Sequence, residues 1–232
     1  VYTSLTNSLS TDTLGIELLS SGRKRLKLNK EPQKSMALLT KMLPLQLIDA
    51  YSHQIFLSGP SVRRQYLNWG LFHMKQSFHS LWKSFNTVLH QRNAALKNQG
   101  PYDDISFWTK EFITQAEQIE LMRCEYIEAL IPCLLEILKQ LLPSKTFEWD
   151  YSKGWTGRLD EHLKQLHYAE SKVGYSLVGP QKADFSINYN NKPVKEFLSH
   201  GELKMVAYAL KIAQALLLHS EDKKTIFLVD DL

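Results

Sequence analysis

The 232 residues predict an α/β fold: two β-containing ends with an antiparallel helical arm inserted between them. Three observations predict it. Strand-like alternation and turn residues fill the first 58 positions and return after position 145. The middle carries two apolar seams with heptad spacing. The last third holds a capped amphipathic helix followed by an apolar strand ending in two acids, TIFLVDDL. The segments expected from this are 1–58, 59–145 and 146–232.

Composition sets the outer bounds. At 44% hydrophobic and 22% charged, the chain has the profile of a globular protein able to bury a core. Its 28 Lys and Arg against 24 Asp and Glu leave a net charge of +4, which permits an anionic partner without requiring one. Cys124 and Cys133 fall on different faces of a helical stretch, too far apart for a disulfide, and no other cysteine completes a metal set. They read as reduced core residues of a cytoplasmic protein. No apolar run of membrane-spanning length and no signal-peptide pattern occurs. The first residue is Val, which reads as a start further upstream.

From the N-terminus, VYTSLTN alternates as a strand, and TLGIELLSSGRKRLKLN reads as two strands turning at Ser20-Ser21-Gly22. Arg23, Lys24 and Arg25 begin the densest basic cluster. It reads either as a charged strand edge that resists further pairing or as a DNA contact. MLPLQLIDA is a further strand. Gly59-Pro60 marks a turn, and Ser61 is placed to cap the next helix. That helix has a seam at Leu67, Leu71, Met74, Phe78, Leu81, Phe85 and Val88, which fades towards Arg92 and Ala95. Arg63 and Arg64 lead it. Adjacent arginines suit either nucleic-acid phosphates or ion pairs at the base of the arm.

After the loop NQGPYDD, a second helix starts near Asp103 or Asp104. Its seam is Ile105, Trp108, Phe112, Ile119, Met122 and Tyr126, so the two helices must lie antiparallel. Pro132 is expected to kink or restart it. Trp69, Trp82 and Trp108 read as arm core. Beyond Pro143, TFEWDY is a strand, RLDEHLKQLHYAESKVGY a short polar helix, and YSLVGPQKADFSINYNNKPV a hairpin turning at Asn190-Asn191. His162 and His167 lack metal-ligand spacing and read as surface residues.

Two segments carry chemistry. In LSHGELK, Ser199 and Glu202 form a capping box, and Gly201 lies in the first helical turn, where a ligand can approach the backbone. The N–H groups and dipole there favour an anion. In TIFLVDD, the apolar run predicts a strand buried on both faces, with Asp230 and Asp231 at its carboxyl end, where ligands of α/β sheets bind. Adjacent acids repel unless a cation offsets them, and Mg²⁺ with a phosphate does so. The plain alternative is a strand ending in a polar turn.

These segments together resemble a family. LSxGExK followed by a hydrophobic strand ending in DD is similar to the signature motif and Walker B strand of the ABC-type ATPase heads of SMC-like repair proteins. GPSVRRQYLNWGLFH, QRNAAL, VGPQKAD and LSHGELKMVAYALKIAQ narrow the resemblance to the RecF family of bacterial DNA replication and repair proteins, over nearly the whole chain. The resemblance implies a partial ABC-type (P-loop NTPase) head with its coiled-coil arm. It implies that Ser199, Gly201, Glu202 and Lys204 meet the γ-phosphate of ATP held by a second subunit, that Asp230 holds Mg²⁺, and that Asp231 stands where relatives carry the glutamate that orients water. Gln46 in LPLQLI is the candidate Q-loop residue. Arg63, Arg64, Arg23, Lys24 and Arg25 are the candidate DNA contacts. The partners implied are single-stranded and gapped duplex DNA, RecO and RecR, functionally RecA, and a second copy in an ATP-dependent homodimer, with no membrane. The activity implied is ATP-dependent DNA binding in recombinational gap repair, replication restart and the SOS response, with weak DNA-dependent ATPase activity. The rival is an SMC-like head or interaction scaffold without a gap-repair role, and the short arm disfavours it. Gln181 stands where the family carries His. None of the ten glycines begins G-x-x-x-x-G-K-[ST]. In relatives that loop precedes the matched region, and the D-loop and switch histidine follow it. This chain is therefore expected to be an incomplete head that does not bind ATP by itself.

Overall fold

The alternation of residues 11–33 is realised as a meander. A computed structural model describes residues 2–6, 11–22, 24–33, 35–98, 102–221 and 223–230, with backbone alone at 2–6, 11, 24 and 102–104. Contacts divide the chain into two units, Val1–Leu45 and Gln46–Leu232.

In the first unit, β1 (Tyr2–Thr6), β2 (Thr11–Leu18), β3 (Lys24–Leu28) and β4 (Glu31–Gln33) form an antiparallel sheet in sequence order. The β2–β3 turn is the expected one: Gly22 adopts a positive φ of 76° and donates its N–H to Leu19 O. Helix α1 (Met36–Met42) is capped by Ser35, whose Oγ accepts from Ala37 N–H. Leu14, Leu26 and Leu39 make this unit's small core.

Strand β5 (Leu45–Ile48), of which Gln46 onward belongs to the second unit, is followed by the single-turn α2 (Gln54–Leu57). The first seam is not one helix but two, α3 (Pro60–Met74) and α4 (Phe78–Lys97). The break falls at Lys75–Ser77, where Lys75 ends α3 by donating its N–H to Leu71 O and its ammonium pairs with Glu125 at 2.6 Å. The apolar register nevertheless persists across it: Leu67, Leu71, Phe78, Phe85 and Val88 are all buried. Gly59, not Ser61, is the N-cap of α3, because Pro60 takes the first helical position with its φ already set.

Helix α5 (Tyr102–Leu141) is continuous for 40 residues, about 60 Å at ~1.5 Å per residue. Pro132 lies inside it without ending it. Leu130, Leu134 and Leu138 around the proline are fully buried, and that burial outweighs the one hydrogen bond the proline removes. Lys75 meets Glu125, and Arg92 meets Thr109, so α4 and α5 run antiparallel as expected.

The remainder comprises β6 (Phe147–Ser152), α6 (Leu159–Val173), β7 (Asp184–Tyr189), β8 (Lys192–Pro193), α7 (His200–His219) and β9 (Ile226–Val229). Strands β6, β7 and β8 form an antiparallel sheet, with Asn190 and Asn191 in the left-handed region at the β7–β8 turn. A single apolar core joins α3, α4, α5, the β6–β8 sheet and α7. The arm and the last third therefore share one interior.

Strand β9 departs from expectation. It is hydrogen-bonded to β5, yet Ile226, Phe227, Leu228 and Val229 are 37–54% exposed. An apolar run records a strand's suitability for a covered position; coverage itself comes from whatever packs on its faces. Among the described residues no helix is long and apolar enough to cross a membrane, and no group of three His, Cys, Asp or Glu could hold a metal.

Candidate functional site

The N-terminus of α7 is built from three residues. Ser199 Oγ accepts the Glu202 N–H at 3.3 Å, and Glu202 Oε2 accepts the Ser199 N–H at 2.9 Å, a complete capping box. The Ser199 N–H is the main cause holding the Glu202 carboxyl below its usual range, with help from Lys145 at 3.3 Å. The box leaves the N–H groups of His200 and Gly201 without an acceptor among the described residues. At Gly201 a Cβ would meet nothing within 4 Å, so this end is open to solvent. An exposed pair of helix N–H groups can bind an oxyanion. Lys204 lies one turn further along and is half-buried.

The segment after β5 runs back along α7 towards this end. Lys211 Nζ donates to Leu47 O and to Ser52 Oγ, the latter at 2.9 Å; burial lowers its pKa and Asp49 opposes the shift. Tyr208 Oη donates to Asp49 O at 3.5 Å. The His53 ring then meets His200 edge-on, with centroids 4.7 Å apart. Neither histidine was singled out by the sequence. Their proximity depends on where the turn after β5 places α2.

Gln46 faces inward. On β5 the exposed and buried residues alternate, which puts Gln46 and Ile48 on the α7 side. Gln46 is 8% exposed and donates to Gln214 Oε1 at 2.9 Å. Gln214 Nε2 donates in turn to Tyr66 O and Tyr126 Oη, both at 2.8 Å. Gln214 lies 15 residues beyond Ser199, about 22 Å along the helix axis. Gln46 is thus a link between β5, α7 and the arm, and its side chain does not join the residues at the start of α7. Its sequence signal was available: Gln214 is a lone amide in the apolar run KIAQALLL.

Asp230 is exposed at the end of β9, and its N–H donates to Ile48 O at 2.9 Å. Asp231 lies outside the described residues, as does Arg23. Arg25 is exposed and 3.9 Å from Glu17; of Lys24 only the backbone is described.

The two arm-leading arginines hold the chain's own loops. Arg63 makes a two-pronged pair with Asp184 at 2.6 and 2.9 Å and donates to the carbonyls of Ile55 and Ser58. Arg64 donates to Ala183 O at 2.9 Å. Arg63 thus spends four of its five N–H donors on one carboxylate and two carbonyls of its own chain. The clamped loop is VGPQKAD. Arg123, fully buried, donates to Pro180 O at 2.8 Å from the arm side. Gly154 and Gly179 have positive φ, and their backbones join through a 3.1 Å hydrogen bond. A Cβ on Gly154 would stand 2.3 Å from Gly179 O. Gln181, in the family's histidine position, donates to Val178 O within the same loop.

No family model matches the chain. Curated relatives do. The DNA replication and repair protein RecF of Shewanella woodyi is 37% identical over 222 residues, covering 94% of this chain and 61% of the relative. That of Shewanella sp. (strain W3-18-1) is 36% identical, with 94% and 62% covered. The chain thus spans about three-fifths of the length of the curated relatives it matches. Among solved structures, that of the recombination mediator protein RecF-ATP in the RecFOR pathway superposes with a TM-score of 0.85 at 22% identity, over 95% of this chain and 63% of that one. The RecF-ATPrS structure gives the same TM-score and identity over 99% and 66%. The fold is that of RecF, and over 94% of its length the chain matches a partial RecF.

Proposed function

We propose that this chain is the signature-helix and arm portion of an ATP-dependent DNA-binding protein of replication and recombinational repair. One observation carries the reading: the start of α7 is fully capped yet keeps the His200 and Gly201 N–H groups open, in a chain collinear with RecF. Relatives named for DNA replication and repair, and a solved relative carrying ATP in the RecFOR pathway, support it.

In this reading a phosphate presented by a second subunit is received at the α7 start by backbone N–H donors and the helix dipole. Ser199 and Glu202 fix the cap so that the donors are preorganised, and Lys204 adds positive charge one turn on. ATP so bound supplies the dimer's shared contact. Asp230 is exposed and suits a hard cation such as Mg²⁺; Asp231 would orient water for slow hydrolysis. The assembly is a cytoplasmic ATP-dependent homodimer at single-strand gaps in duplex DNA, working with RecO and RecR to promote RecA loading in gap repair, replication restart and the SOS response.

The test uses a protein of the relatives' full length carrying this sequence. Ser199→Arg fills the open helix end. It should abolish ATP-dependent dimers in light scattering while leaving ATP binding in calorimetry within about threefold. Dimers that persist with ATP refute the cross-subunit role of α7.

A further inference from the structure

The basic candidates that the sequence offered for DNA contact are partly consumed inside the fold, whereas a cleft between α5 and α6 gathers two lysines that make no ion pair among the described residues. It has a volume of about 440 Å³. Lys110 projects from the α5 wall and Lys164 from the α6 wall. Both side chains are exposed. Among the described residues, neither ammonium is within ion-pair distance of a carboxylate. His167 also lines the cleft from α6. The acid on the lining, Asp160, is already engaged by Arg158 through two hydrogen bonds of 3.1 Å. The floor is apolar, formed by Ile105, Ile113 and Leu163.

The walls are fixed from below. Arg92 on α4 donates to Thr109 on α5 at 3.1 Å and to Glu170 on α6 at 2.6 Å, and its third nitrogen binds Ser176 Oγ at 2.6 Å. Arg92 and Glu170 are 1% and 0% exposed. Their charges cancel, so the buried pair sets the spacing of the helices and leaves the lysines to set the potential of the cleft.

We propose that this cleft binds a single-stranded DNA segment, with Lys110 and Lys164 on successive phosphates and one base seated on the aliphatic floor. Charge complementarity selects a polyanion. The apolar floor between the lysines selects a strand whose bases are unstacked, since a duplex would present only phosphates to this cleft. The inference rests on the DNA-binding reading above and adds to it the place where the strand lies.

Fluorescence anisotropy of the 232-residue chain with a labelled 20-mer of thymidylate, in 50–200 mM salt, tests it. The double variant Lys110→Glu/Lys164→Glu should bind at least about tenfold more weakly. Replacing both lysines with Gln should lower the salt slope by about 1.4, the value for two single-strand contacts. Lys139→Glu, about 44 Å further along α5, should stay within twofold of wild type. Circular dichroism should be unchanged in all variants, since these lysines are exposed. A strand of abasic sites should bind less well than thymidylate. The proposal is overturned if the wild-type chain does not bind the 20-mer at 50 mM salt, if the charge-reversed chain binds within twofold of it, or if duplex and single strand are bound equally. A chain that passes here while the Ser199→Arg protein still dimerises would lose the α7 reading alone.

Discussion

His73 is buried near the end of α3 between Trp69 and Phe72, 3% exposed, and neither ring nitrogen has a hydrogen-bond partner among the described residues. Burial, with the Lys223 charge added, pushes its pKa from 6.5 down to about 4. Because the folded value lies below the unfolded one, the unfolded chain takes up the proton first. The stabilisation is complete above pH 6.5 and is lost as pH falls towards 4. Urea unfolding should therefore show about 2 kcal/mol less stability from this group at pH 5 than at pH 7.5, and His73→Phe should flatten the slope by that amount. A slope unchanged in the variant would refute the assignment. Gly70 offers a second residue-scale test. A Cβ there would lie 2.0 Å from Tyr126 Oη, inside the Gln46–Gln214–Tyr126 chain of hydrogen bonds. Gly70→Ala should cost about 1–3 kcal/mol by overpacking. Tyr126→Phe in the same chain should restore only part of it, because the ring carbon Cζ would still be 2.3 Å away.

Among elements, the junction of α4, α5 and α6 depends on one ion pair. Arg92→Met leaves Glu170 charged and buried, and should destabilise the fold by about 3–5 kcal/mol. Arg92→Met with Glu170→Leu should recover most of that but not all, since Leu177 N–H also donates to Glu170 at 2.8 Å. Differential scanning calorimetry of the three variants decides it; a double variant no better than the single would show that shape, not charge, holds the junction. The α7 cap acts at the same scale. Ser199→Ala removes an exposed cap and should cost about 1 kcal/mol, a small structural effect against which the loss of dimers in Ser199→Arg can be judged. Helix α5 shows why a local breaker rule failed: the leucines flanking Pro132 are buried along the shared core, and tertiary packing kept the helix whole. The break at Lys75–Ser77 is the converse, a helix end without Gly or Pro in the interruption itself.

For the molecule as a whole, the uncovered apolar strand β9 has a measurable consequence. It leaves Ile226 to Val229 exposed beside the exposed Leu47 of β5. Such a surface is prone to association. Sedimentation velocity of the isolated chain should show concentration-dependent oligomers above about 10 µM, and Phe227→Lys with Val229→Lys should shift it towards monomer. A chain monomeric at every concentration would refute this. Most elements were legible in advance because each rests on local chemistry: the Asn190-Asn191 turn on its left-handed backbone, the α7 cap on a four-residue box, and the α4–α5 pairing on spacing along two helices. The candidate site was legible only in part. Ser199, Gly201 and Asp230 occupy chemically open positions, while Gln46 and Arg63 have side chains committed to the interior. LSHGELK, the heptad seams and the apolar strand before Asp230 were determined by sequence alone, because periodicity and capping act over a few residues. Which arginine is free for a ligand, which glutamine is buried, and which lysines share a cleft were decided only by the tertiary structure. Those properties depend on partners that fold in from tens to more than a hundred positions away, as Asp184 does for Arg63 and Gln214 for Gln46.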